Sequence, residues 1–231
     1  MTEVIKTVDL VKRFGSTTAV NGLSITVHRG ETFGLLGPNG SGKTTTLGML
    51  LTLLKPTAGA FELFGSADAS AGLKRTGVLL ESASYYPELS AYNNLLISAR
   101  IKGVDKSRID DVLQTVGLDA DRNKKVRAFS LGMKQRLSIA AVLLNDPELM
   151  IFDEPTNGLD PIGIAEVRQL LLRLGREGKT ILIASHSLSE MEKVCTNIAI
   201  MKRGNLIETG ALQALISGHA SLEDYFLAKA K

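Results

Sequence analysis

Gly37-Pro38-Asn39-Gly40-Ser41-Gly42-Lys43-Thr44 has the spacing of a phosphate-binding loop: a glycine, four residues, then Gly-Lys and a hydroxyl residue. The glycines let successive backbone N–H groups turn toward phosphate oxygens, and the helix that follows presents its positive end. In such a loop Lys43 reaches the β- and γ-phosphates of a nucleotide, the Thr44 hydroxyl binds Mg²⁺, and Thr45 opens the helix. The flanks agree, because a β-rich run, Thr32 to Leu36, leads in and a helix expected over Thr45 to Leu54 leads out. A glycine-rich turn with no ligand is a poor alternative in that strand–loop–helix setting.

Outward from the loop, short β-rich runs recur at Gly77 to Leu80, Leu149 to Phe152, Thr180 to Ala184 and Ile198 to Met201, separated by helix-length segments. This alternation predicts a largely parallel sheet covered on both faces, an α/β core. Leu23 to Val27 and Ala60 to Phe64 alternate apolar and polar residues more cleanly, as half-exposed antiparallel strands do. Between Tyr86 and Asn145 the strand signal vanishes, and apolar residues recur at helical spacing in 95–97, 109–116 and 137–144. A single domain is expected, with residues 1–85 and 146–231 as the α/β core and 86–145 as a helical lobe.

The run Leu149-Met150-Ile151-Phe152-Asp153-Glu154 reads as a buried strand that delivers two acids to the edge of the sheet. Alone it is a weak signal, since many strands end in an acid that meets solvent. Beside a phosphate loop it assigns Asp153 to the Mg²⁺ and Glu154 to the attacking water as general base.

With these two motifs and Phe129-Ser130-Leu131-Gly132-Met133-Lys134-Gln135-Arg136, about twenty residues before the acids, the chain resembles the ABC ATPase family over nearly its whole length. The resemblance implies a P-loop NTPase (RecA-like) core with an antiparallel β subdomain and a helical lobe. It also implies ATP and Mg²⁺ as ligands. Ser130 is a plausible N-cap for a helix running through Ala141, and with Gly132 it would grip the γ-phosphate held by a second copy of the chain. Phe129, Leu131 and Met133 depart from the family's usual Leu-Ser-Gly-Gly-Gln.

Other positions follow the family's order. Asn157-Gly158-Leu159-Asp160 matches the loop that crosses the dimer interface, His186 the switch histidine near the γ-phosphate, and Phe14 the aromatic that stacks on adenine. His28 and His219 read as ordinary structural or surface histidines. Glu81 stands where the family usually carries a metal-sensing glutamine, and it is expected to ligate the metal through oxygen while adding a negative charge near the γ-phosphate. Glu81, Tyr85-Tyr86-Pro87 and the Ser130 to Met133 variant resemble the branch of bacitracin-resistance and lantibiotic-immunity exporters. Ser221 to Leu227 resembles the short tail of many drug- and polysaccharide-exporting ATPases, and as an amphipathic helix it is expected to pack on the core.

Bulk properties bound the partners. The 231 residues are 44% apolar and 22% charged, enough for a sizeable core, and the net charge of +3 is spread along the chain. No basic tail points to nucleic acid, and none is expected as a partner. The one cysteine, Cys195, fits a small core residue in a reducing compartment. The N-terminus lacks a secretory pattern, and the richest apolar run, Leu47 to Leu54, is too short to cross a bilayer. The resemblance therefore implies a cytoplasmic protein, peripheral on the inner face of the membrane, paired with a transmembrane subunit near Glu81 to Arg100 and with a second copy of itself. A mechanical ATPase acting on nucleic acid or ribosomes is the alternative. It fits less well, because Lys43 to Ser130 leaves no room for a coiled coil and no tandem cassette follows. A small-molecule kinase accounts for neither the Ser130 segment nor the place of His186.

Overall fold

The computed structural model describes residues 2–80 and 85–229. In chain order it runs β1 (Glu3–Phe14), β2 (Thr17–Leu23), β3 (Thr26–His28), β4 (Thr32–Leu36), α1 (Lys43–Leu50), β5 (Ala58–Leu63), α2 (Ala69–Lys74) and β6 (Thr76–Leu79). It continues through α3 (Ala91–Lys102), α4 (Arg108–Thr115), a 3₁₀ turn at Val126–Ala128, α5 (Leu131–Leu143), β7 (Leu149–Asp153), α6 (Pro161–Arg176) and β8 (Thr180–Ser185). The chain closes with α7 (Leu188–Val194), β9 (Asn197–Lys202), β10 (Asn205–Ala211), α8 (Leu212–Leu215) and α9 (Leu222–Lys229).

Among the described residues the central sheet has the order β10-β9-β4-β8-β7-β6. The strands β9, β4, β8, β7 and β6 pair in parallel, and β10 closes one edge antiparallel. Side chains of a strand alternate between faces, and here each set fills its own core. Ile181, Ile183, Met150, Phe152, Ile198 and Ile200 meet α5, α6 and α7 on one face. Leu182, Ala184, Leu149, Ile151, Ala199 and Met201 meet α1 and the antiparallel sheet on the other. Burial on both faces explains why these strands read as continuous apolar runs.

The second sheet has the order β2-β1-β3, with β5 on β1. The strand expected over Leu23 to Val27 is in fact the joint between β2 and β3. Buried Thr7 makes the break, since its Oγ1 donates to Leu23 O and accepts from Ile25 N, both at 2.9 Å. A hydroxyl thus satisfies backbone groups that a ladder would otherwise pair. The expected strand over Ala60 to Phe64 is β5, which ends at Leu63 because Phe64 turns to φ 53°. Described elements between residues 86 and 145 are all helical.

Candidate active site

Neighbouring strands β4, β8, β7 and β6 end on the same edge of the sheet, where ligands of open α/β sheets bind. From β4 the chain enters the loop Gly37 to Gly42 and then α1; β8 ends at Ser185 before His186; β7 ends at Asp153 before Glu154. Glu81, two residues beyond β6, lies outside the described residues.

The loop needs its glycines for room. A Cβ at Gly37 would lie 2.3 Å from Met201 O, and one at Gly42, where φ is 107°, 2.5 Å from Ala19 O. Gly42 is also the N-cap of α1 and supplies no side-chain cap, so the first-turn N–H groups are available to an anion. Gly40, Ser41, Gly42, Lys43, Thr44 and Thr45 line a cleft of about 470 Å³, together with Asn39, Asp153 and Glu154.

Three charged groups converge there. Lys43 is 6% exposed, and its Nζ donates to Gly37 O at 2.7 Å and Pro38 O at 3.3 Å while standing 3.8 Å from Glu154 Oε1. Burial pulls its pKa below the ordinary lysine value, against the opposing pull of Glu154 and Asp153. Glu154 Oε1 is 2.8 Å from His186 Nδ1, and its Oε2 accepts from Ser185 Oγ at 2.9 Å. The carboxylate is thereby fixed between lysine, histidine and serine. Thr44 Oγ1 donates to buried Asp153 Oδ2 at 2.8 Å. Among the described residues no group of three or more His, Cys, Asp and Glu converges on a metal-binding point. A hydroxyl and a carboxylate are nonetheless the sparse oxygen donors with which Mg²⁺ is held alongside substrate phosphates.

The remaining sequence candidates lie apart from this cleft's lining. Phe14 ends β1, is 48% exposed and carries Lys12 Nζ 5.1 Å from its ring centroid. Ser130 is the N-cap of α5, where its Oγ accepts from Met133 N at 3.2 Å. Asp160 is the N-cap of α6 and accepts from Gly163 N at 2.8 Å. Gly132 packs on Gly163, so close that a Cβ at 132 would lie 3.2 Å from the Gly163 Cα. Pro38 and His186 border a second cavity beside the loop. Sequence reasoning missed Ser185, the hydroxyl that fixes Glu154; its position directly before His186 at a strand end was the available signal. It also missed Asn157 and Gln135 as parts of the cleft wall, although both lie in segments already singled out.

Comparison with known proteins agrees with this geometry. Residues 20–157 match the ABC transporter family. The chain is 50% identical over 213 residues to the bacitracin transport ATP-binding protein BcrA of Bacillus licheniformis, covering 90% of this chain and 70% of that protein. It is 39% identical over 223 residues to the lantibiotic transport ATP-binding protein SrtF of Streptococcus pyogenes, covering 96% of each. The solved structure of CbiO1 from Clostridium perfringens, part of the ABC transporter complex CbiONQ, superposes with a TM-score of 0.85 at 28% identity, over 94% of this chain and 92% of that one. A phosphate loop, an acidic strand end and a histidine gathered on one sheet edge in a chain so matched lead to one conclusion: the chain belongs to the ABC transporter family, as an ATP-binding subunit that hydrolyses ATP to power transport.

Proposed function

We propose that this chain drives an exporter of a drug, a peptide antibiotic or a similar compound, working as a head-to-tail dimer with a separate transmembrane subunit. The observation that carries the catalytic part is Glu154, held 2.8 Å from His186 Nδ1 and 3.8 Å from Lys43 Nζ at the edge of the cleft. Glu154 is the general base for the attacking water, His186 meets the γ-phosphate, and Lys43 neutralises phosphate charge. Gly37 to Thr45 cradle the phosphates, and Phe14 stacks on the adenine. Thr44 and Asp153, with Glu81, would hold Mg²⁺, which would neutralise phosphate charge when bound.

Residues 1–231 act as one unit, with 86–145 as its helical lobe. Ser130, Gly132 and Asp160 serve the nucleotide held by the opposite copy. Support for a second copy comes from Leu131, which lines the cleft next to Ser130 and stays 53% exposed, and from Ile162, two residues beyond Asp160, which stays 70% exposed. Export of a peptide antibiotic is supported by the bacitracin and lantibiotic transport names of the relatives. No helix among the described residues is long and apolar enough to cross a membrane. The membrane-spanning part is assigned to the partner, and the chain is read as sitting on the cytoplasmic face; the transport names of the relatives support both.

The test is Glu154→Gln. ATP should still bind, hydrolysis should fall roughly 10²- to 10⁴-fold, and the protein should accumulate as a dimer in light scattering. A variant that stays monomeric under saturating ATP counts against the scheme.

A further inference from the structure

A cavity of about 280 Å³ beside the phosphate loop is walled by Pro38, Asn39, His186, Leu188 and, from the far end of the chain, Phe226 of α9. Phe226 also lines a crevice with Ile200 and Ile207, so its ring stands between the β9–β10 edge of the sheet and the histidine. His186 sits in the two-residue link between β8 and α7. The front of that link is held by polar bonds: His186 Nδ1 to Glu154, and Ser187 N to Ser185 Oγ at 3.1 Å. Its rear is held less firmly. Ser187, the N-cap of α7, makes no side-chain cap bond, and the imidazole is 46% exposed. Leu188, partly buried, and Phe226 both pack against the same core there.

The helix that carries Phe226 is firmly braced. Leu222 is fully buried and donates its N–H to Glu192 Oε2 of α7 at 2.9 Å. Tyr225 Oη and Lys229 Nζ both donate to Glu208 Oε2 of β10, at 3.2 and 3.1 Å. A ring mounted on a fixed helix beside a lightly supported loop is suited to setting where that loop rests.

We propose, resting on the reading of His186 as the group that meets the γ-phosphate, that Phe226 is a positioning residue: through Leu188 and the Pro38–Asn39 wall it holds the imidazole against Glu154. Small displacements of a reacting group cost large factors in rate, so the loss belongs in turnover rather than in ATP affinity.

The test compares Phe226→Ala, Phe226→Leu and Lys229→Ala in this chain. Phe226→Ala should lower kcat about tenfold while KM stays within about twofold. In nucleotide-free protein it should also move the His186 imidazole NMR resonance, assigned with His186→Ala. Phe226→Leu, which refills the cavity wall, should restore both, and Lys229→Ala, which removes one surface bond and leaves Leu222 and Tyr225 to hold α9 in place, should change neither. An unmoved imidazole with unchanged kcat overturns the proposal. Equal losses from Phe226→Leu and Lys229→Ala that track the melting temperature also overturn it, whether or not Phe226→Ala folds. Wild-type hydrolysis by His186→Ala is the separate result that removes the reading of the histidine and this role with it.

Discussion

Glu154 adopts φ 48°, a left-handed conformation that a glutamate keeps only where its surroundings hold it, at a cost of roughly 1–3 kcal/mol. The restraint is visible: its N–H donates to Ala184 O at 2.9 Å and its carbonyl accepts from Asn157 N at 3.1 Å. The strand β7 therefore ends in a turn that swings the carboxylate toward His186. Phosphate-loop glycines are bound by space as much as by conformation. Gly42→Ala, whose Cβ would meet a backbone oxygen at φ 107°, should lose ATP binding in calorimetry and melt earlier. Near-native affinity would show that the loop can shift to admit a methyl. Cys195 makes a third case, because its burial pushes the thiol up to about 12. It should stay unreactive toward a thiol reagent at pH 8 and react promptly once the protein is unfolded. The loop, the two acids and His186 were readable in sequence, since each falls at a strand end marked by an apolar run. Ser185 was missed although its place before His186 at a strand end marked it, because only the fold shows that its hydroxyl reaches a carboxylate 31 positions earlier.

Among the elements, α5 and α6 start from the same device, Ser130 and Asp160 each accepting a backbone N–H in the first turn. Their N-terminal ends meet at Gly132 and Gly163, so closely that a Cβ at 132 would lie 3.2 Å from Gly163 Cα and one at 163 would lie 2.9 Å from the capping Asp160 Oδ1. Capping was legible at Ser130, and α5 runs to Leu143, two residues past its expected end. The helix expected to reach Leu54 stops at Leu50, because Thr52 turns to φ 58° and Leu54 folds back to donate its N–H to Gly48 O at 3.0 Å. Local propensity carried no sign of that contact. β1 and β10 were not anticipated, although each forms a tight hairpin with a neighbour in sequence, β1 with β2 and β10 with β9, and the turn glycines Gly15 and Gly204 were the available signal; only the pairing of β1 with β5 depends on a distant partner. One tie between elements is pH-dependent. Arg75, and then Arg29, hold the Glu148 carboxyl down at about 2, from 4.5. A depressed acid contributes stability above its unfolded value and loses it as pH falls through the folded one. The tie should therefore be intact at neutral pH and fade between 4.5 and about 2. Because these groups are well exposed, solvent screens the effect, and Glu148→Gln should flatten only a small part of the melting-temperature profile in that window. An identical acid limb in wild type and variant would remove the tie as a contributor.

At the scale of the molecule, a sheet buried on both faces brings the strand ends to one edge, and the helices of 86–145 add a surface away from it. There Tyr85, Leu95, Ile97, Ser98 and Ile101 line a groove of about 420 Å³. Tyr86 and Ile101 stay 58% and 81% exposed, and Ile97 and Ile101 share a face of α3 at a spacing of four. An apolar groove of this kind on a charged protein suits a helix of a partner, and the transmembrane subunit is the occupant we assign to it. Ile101→Asp should leave ATP binding of the separate chain unchanged, since the side chain contacts no part of the cleft. The same variant, tagged and purified from its own membranes, should lose the hydrophobic subunit that accompanies the wild type. Equal recovery of that subunit by both proteins would move the docking surface elsewhere.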